Sequence, residues 1–193
     1  MSEDYLQPDF YRFNQDSLAL VKWIVARNNS AEWVADLGAG CGVIGIELAR
    51  HLKPKHLQLV EWQPEFHPYL THNLAKFLPV ATQGLITISS YGQWQPPEKF
   101  DLIAANPPYY LPGKGEPSSH LQRQICRSFI HENWDELIKA MALSLKPQGR
   151  GYLVIKDRSE ILTMAEKAIA QFPLSTSLER QNDLILIELK LIG

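Results

Sequence analysis

Short apolar runs and helical stripes alternate along this chain, and their order predicts a sheet covered by helices. Leu18, Val21, Trp23, Ile24 and Val25 recur at helical intervals, so a first helix is expected to end near Asn28-Asn29-Ser30, with Asn14 or Asp16 as its cap. Trp33 to Gly38 reads as a first strand, and Val43, Ile46, Leu48, Ala49 and Leu52 as a helix stopped by Pro54. His56 to Glu61 is a second strand ending on a carboxylate, after which Pro64 opens a helix carrying Phe66, Leu70, Leu74 and Phe77. Leu85 to Ile88 is a third strand and Phe100 to Ala105 a fourth, the kind of short apolar run that fills the middle of a parallel sheet. Pro107 and Pro108 cannot donate to a ladder, so the fourth strand must stop at Asn106.

Tyr110 to Ser128 carries Pro112, Gly113, Gly115 and Pro117 and no apolar period, which predicts a long loop of the kind that is usually functional. Ile130 to Leu145 is a helix, Pro147-Gln148-Gly149 a turn, Gly151 to Ile155 a fifth strand and Arg158 to Gln171 a last helix. Leu174 to Arg180 and Leu184 to Leu191, joined by Gln181-Asn182-Asp183, form an antiparallel hairpin. Strand–helix alternation closed by a hairpin means an α/β fold, mostly parallel with one reversed strand and helices on both faces. No repeat or linker interrupts it, so residues 1–193 are expected to be a single domain: a helical lead-in over 1–30, then a core over 31–193.

Composition changes this picture little. A net charge of −2 over 193 residues argues against a surface coated with cations for nucleic acid, yet allows a local basic patch around a cleft. Cys41 and Cys126 are too few for a disulfide framework and have no metal-ligand spacing, so no metal is expected. No apolar run reaches membrane-spanning length, and Met1-Ser2-Glu3-Asp4 lacks the layout of a signal peptide, which makes the cytoplasm the expected address.

The chemistry begins at Asp36-Leu37-Gly38-Ala39-Gly40-Cys41-Gly42. So dense a glycine turn after a strand suits close approach of a ligand to backbone. Glu61 ends the next strand about twenty residues on, where a carboxylate can accept both hydroxyls of a ribose. The glycine spacing departs from the dinucleotide fingerprint, and Asp36 would repel a pyrophosphate but not a cation. The alternative is a plain turn flanked by two solvent-facing acids. The run resembles the first motif of S-adenosylmethionine-dependent methyltransferases of the seven-strand type. That resemblance implies a Rossmann-like sheet of order 3-2-1-4-5-7-6, with the loop of Gly38, Gly40 and Gly42 under the methionine end of S-adenosylmethionine. It further implies Asp36 near the ammonium group of the cofactor and Glu61 on its ribose.

The second signal is Asn106-Pro107-Pro108-Tyr109, at the carboxyl edge of the sheet where open α/β folds bind ligands. A conjugated amine is a poor nucleophile because its lone pair is delocalised. Two acceptors aimed at its hydrogens favour the charge that develops during attack. Asn106 offers a side-chain carbonyl and Pro107 a backbone carbonyl held between prolines, while Tyr109 offers a flat face for stacking. A proline-rich strand exit with a packed tyrosine is the alternative. The tetrapeptide resembles the catalytic motif of amino-methyltransferases acting on adenine N6, cytosine N4, guanine N2 or the glutamine of release factors.

The run from Tyr11 to Leu20 resembles the opening of adenine-N6 methyltransferases that act on valine tRNA, as do Asn106 through Tyr110, Gly113 and Arg127. By that resemblance Phe13 and Asp16 help cover the cofactor; as residues they read equally as core and helix cap. Release-factor enzymes carry a helical domain ahead of the catalytic one, and with about thirty residues before the first strand here that branch is not the expected one. RNA, as tRNA, is therefore the expected substrate and partner, with protein glutamine and a non-catalytic binding module as alternatives. Tyr110, Lys114, Arg123 and Arg127 in the long loop, with His120 beside them, would hold the RNA if that loop faces the cleft. Related enzymes end the third strand on an Asp that binds the adenine of the cofactor. Here Ser90 stands near that position with Tyr91 next to it, and a hydroxyl binds more weakly than a carboxylate.

Overall fold

The computed structural model describes residues 5–108 and 133–192. Seven strands form one sheet of order β3-β2-β1-β4-β5-β7-β6: β1 (Trp33–Leu37), β2 (His56–Glu61), β3 (Gln83–Ile88), β4 (Phe100–Ala105), β5 (Leu145–Lys156), β6 (Leu174–Gln181) and β7 (Leu184–Leu191). The pairs from β3 to β5 are parallel, and β7 runs antiparallel to both β5 and β6. This is the expected topology. Its reversal comes from the tight turn at Asn182, whose φ of 54° lies in the left-handed region that asparagine tolerates.

Strand side chains alternate between two cores. Ala35, Leu37, Ile103, Ala105, Leu153, Ile155, Ile185 and Ile187 point to one face, packed under α4 (Trp134–Ser144) and α5 (Ser159–Ile169). Val34, Leu102, Ala104, Tyr152, Val154, Leu184 and Leu186 point to the other, under α1 (Gln15–Val25) and α2 (Val43–Leu52). Helix α3 (His67–Phe77) follows a 3-10 turn over Pro64–Phe66 and covers the β2–β3 end. Because β1, β4 and the later half of β5 are covered on both faces, apolar residues stand on both alternations of each, with Asp36 and Asp101 the exceptions in β1 and β4.

Two boundaries differ most from those expected. β5 begins at Leu145, since Phe100 of β4 pairs with Leu145 before the register shifts and resumes at Leu102–Arg150. The proline-glycine turn is thus an irregularity within the strand. Helix α4 begins at Trp134, where the side chain of Asn133 accepts from the N–H of Glu136. At α1 the cap is Asn14, whose side-chain oxygen accepts from the N–H of Asp16 at 3.1 Å. Among the described residues no helix is long and apolar enough to cross a membrane.

Candidate active site

The carboxyl ends of β1, β2 and β4 meet in one cleft lined by Gly38, Gly40, Glu61, Tyr91, Asn106 and Pro108. Tyr11, Trp62, Gln63 and Phe66 complete the lining. The glycine loop is held down by its own backbone: the N–H groups of Gly38 and Ala39 both donate to the carbonyl of Val60 at 2.9 Å. Gly38, Gly40 and Gly42 all have positive φ, at 73°, 56° and 86°. At Gly38 the space matters too, because a Cβ there would sit 2.6 Å from the Tyr91 hydroxyl oxygen.

Glu61 organises this loop from below. Its Oε2 accepts from the N–H of Gly40 at 2.7 Å, and its Oε1 accepts from the N–H of Gln63 at 2.9 Å. A carboxylate offers about four acceptor sites, so the group can anchor the backbone and still accept from a ligand hydroxyl. Burial raises its pKa, while the surrounding N–H donors oppose the rise.

Asp36 lies fully buried under the loop. Its Oδ2 accepts from the N–H of Gly45 at 2.8 Å, in the first turn of α2, where an acid is favoured by the helix dipole. Oδ1 is buried and has no hydrogen-bond partner among the described residues. Desolvation pushes the Asp36 pKa up to about 7, with the Gly45 N–H opposing and the charge of Glu61 adding to the rise. A buried acid with an unspent acceptor favours a cation above it.

The segment before α1 returns over the loop. The Tyr11 ring approaches Gly40, where a Cβ would lie 3.6 Å from it, and meets Phe66 edge-on at 5.4 Å. Phe10 packs on the same Phe66, also edge-on. Asn106 reaches across to α1, its Nδ2 donating to the Ser17 hydroxyl oxygen at 3.0 Å. Pro107 is buried beside it.

The model for the methyltransferase small domain matches residues 12–179. The chain belongs to the methyltransferase small domain family. The tRNA1(Val) (adenine(37)-N6)-methyltransferase of Pedobacter heparinus is 27% identical over 157 residues, 80% of this chain and 65% of that protein. Its namesake in Bacteroides thetaiotaomicron is 28% identical over 141 residues, 72% of this chain and 57% of that protein. The chain thus spans roughly three-fifths of the length of these curated relatives. Among solved structures, a ribosomal protein L11 methylase from Lactobacillus delbrueckii subsp. bulgaricus superposes with a TM-score of 0.68 at 19% identity, over 94% of this chain and 81% of that one.

S-adenosylmethionine is the cofactor that this methyltransferase family and fold imply. The residues present fit it. Gly38 and Gly40 open backbone to the cleft, Glu61 faces it with spare acceptor capacity, and the unpartnered Asp36 Oδ1 leaves an acidic group beneath.

Of the residues that the sequence nominates, Gly38, Gly40, Glu61, Tyr91 and Asn106 come together in this methyltransferase-fold cleft, with Asp36 buried below. Gly42 is not in the lining; it caps α2, tucked against Leu70, Ile46 and Leu59. Asp16 is not there either. It pairs with Lys156 at 3.0 Å, away from the glycine loop. Ser90 lies one residue off the lining, and its carbonyl accepts from Trp94 N–H at 3.0 Å to start a turn. Tyr109, Tyr110, Lys114, His120, Arg123 and Arg127 lie outside the described residues. Tyr11, Trp62, Gln63 and Phe66 were not singled out for the site. The last three follow Glu61 closely enough to be suspected, whereas nothing local announces Tyr11.

Proposed function

We propose that this chain transfers a methyl group from S-adenosylmethionine to an exocyclic amine, N6 of an adenine in tRNA. One observation carries the reading: Asn106, at the end of β4, lines the same cleft as Gly38, Gly40 and Glu61. The acceptor for an amine and the seat for a methyl donor are therefore adjacent. The choice of tRNA is supported by the relatives from Pedobacter heparinus and Bacteroides thetaiotaomicron, both tRNA1(Val) (adenine(37)-N6)-methyltransferases.

When bound, S-adenosylmethionine supplies a methyl group activated by its sulfonium. Glu61 accepts from the ribose hydroxyls, and Asp36 holds negative charge under the cationic end. Asn106 Oδ1 and the Pro107 carbonyl accept the two hydrogens of the amine, turning its lone pair toward the methyl group. Tyr109 stacks on the base, a contact worth roughly 1–3 kcal/mol. Tyr110, Lys114, Arg123 and Arg127 engage the RNA backbone. The nitrogen loses a proton only after it has been alkylated and become acidic, so no strong base is needed.

Incubation with labelled S-adenosylmethionine and either total tRNA or ribosome-associated proteins tests the reading. Label in adenosine is expected; label only in protein would overturn it in favour of a glutamine acceptor. Calorimetry separates both from a non-catalytic binding module, for which no micromolar binding of S-adenosylmethionine would be seen.

A further inference from the structure

Phe66, just ahead of α3, and Leu70, Asn73 and Phe77 within it recur at helical intervals and share one face. The chain before α1 runs along that face in the opposite direction. The Tyr5 ring lies 4.6 Å from that of Phe77, Leu6 meets Asn73, and Phe10 and Tyr11 reach Phe66. Asn73 is the polar exception on the face and is fully buried. Its Oδ1 accepts from the Leu6 N–H at 2.9 Å, and its Nδ2 donates to the carbonyls of Leu6 at 2.9 Å and Cys41 at 2.8 Å. We infer that Asn73 is a positioning residue: it locks the strap of residues 5–13 onto the glycine loop, keeps Tyr11 over the cleft and so slows release of S-adenosylmethionine. The inference rests on the cofactor assigned to the cleft, whatever the methyl acceptor.

The partners fix the sense of the Asn73 amide. A backbone N–H only donates and a carbonyl only accepts, so the oxygen faces the Leu6 N–H and both amide hydrogens are taken. A buried amide is costly unless bonded, and packing alone would be served by a leucine at this position. What the amide adds is a junction between two backbone segments. Cys41 stands between Gly40, whose N–H is held by Glu61 at 2.7 Å, and Gly42, which caps α2. The glycine loop is thus pinned from two sides, and the strap shares the pin at Asn73.

The strap carries that restraint to its tip. Tyr5 donates to Glu47 of α2 at 2.8 Å. The Gln7 side-chain oxygen accepts from the Phe13 N–H at 3.0 Å, and the Tyr11 N–H donates to the Pro8 carbonyl at 3.2 Å, which closes residues 7–13 into a compact loop. Tyr11 lines the cleft from that loop, with its ring against Gly40. Lifting the strap from α3 breaks both Leu6 bonds, so a ligand lying against Tyr11 and Gly40 leaves more slowly while they hold.

Release is measured on the full chain by chasing bound, labelled S-adenosylmethionine with excess unlabelled cofactor, and calorimetry gives Kd. Asn73→Ala should speed release about tenfold, the scale of the bonds it breaks, with the association rate within about threefold. Tyr11→Ala should also speed release, and the double variant should release scarcely faster than the faster single one, because both changes open one strap. Unchanged release in Asn73→Ala, or effects of the two substitutions that multiply, would overturn the inference however far Tm falls. If Asn73→Ala does not fold, hydrogen exchange on the unmodified chain decides. The Leu6 and Tyr11 amides should exchange at least about tenfold more slowly with cofactor bound, and equal rates with and without it would overturn the inference. A parent chain that binds no S-adenosylmethionine would overturn the inference and the cofactor reading together. Binding and strap closure without transfer to tRNA would uphold the inference and remove only the proposed acceptor.

Discussion

Glu61 Oε2 accepts a 2.7 Å hydrogen bond from the backbone N–H of Gly40. The carboxylate that would receive the ribose is thus the group that shapes the glycine loop. Glu61→Ala removes acceptors from two backbone donors in a buried setting, at a cost of about 2 kcal/mol, and should lower Tm as well as cofactor affinity. Glu61→Gln keeps one oxygen and should fall between the two on both scales. Thermal melts and calorimetry check this; an alanine variant with unchanged Tm would separate the two roles.

Asp36 carries a stability cost that depends on pH. Its pKa in the folded chain, about 7, exceeds the roughly 3.9 of an unfolded aspartate, so the folded state binds the proton more tightly. The favourable contribution is complete below pH about 4 and is lost as pH rises through 7. Asp36→Asn keeps an acceptor for the Gly45 N–H but cannot ionise. Without ligand it should melt higher than the parent at pH 8 and nearly level with it at pH 4. Its affinity for S-adenosylmethionine should fall at pH 8. Melts at the two pH values check the first claim; equal Tm differences at both would contradict it.

Gly38 meets two constraints that can be pulled apart. Its φ of 73° strains any residue with a Cβ, and that Cβ would clash with the Tyr91 hydroxyl at 2.6 Å while clearing the ring carbon Cζ at 3.7 Å. Gly38→Ala should therefore cost about 1–3 kcal/mol, part of it backbone strain. Adding Tyr91→Phe removes the clash and leaves the strain, so the double variant should melt above Gly38→Ala. A double-mutant cycle on Tm reads this directly. Strict additivity would mean the hydroxyl moves aside at no cost.

The sheet was legible because each central strand carries a mostly apolar run and each is followed by a proline, a glycine or an acid. The reversed β7 followed from the closing hairpin, whereas the strand order came only from the resemblance to seven-strand methyltransferases. Glu61 and Asn106 were legible as polar residues ending apolar strands. What stayed hidden depends on chain returning from far away. Tyr11 covers Gly40 only because the segment before α1 folds back over Phe66. Asp16 has one neighbour in sequence and another, Lys156, 140 positions on, and no local pattern chooses between a cap, a cofactor contact and that ion pair. Ser90 was read from its distance to the end of β3, yet the turn it starts aims Tyr91 into the cleft instead.

The most direct measurement is mass spectrometry of nucleosides from tRNA incubated with S-adenosylmethionine and either the parent chain or Asn106→Ala. The parent should generate N6-methyladenosine. Asn106→Ala should generate at least about a hundredfold less, the scale of losing an electrostatic contact made in the transition state, while calorimetry still finds the cofactor bound. Undiminished N6-methyladenosine from Asn106→Ala, or none from the parent, would contradict the account.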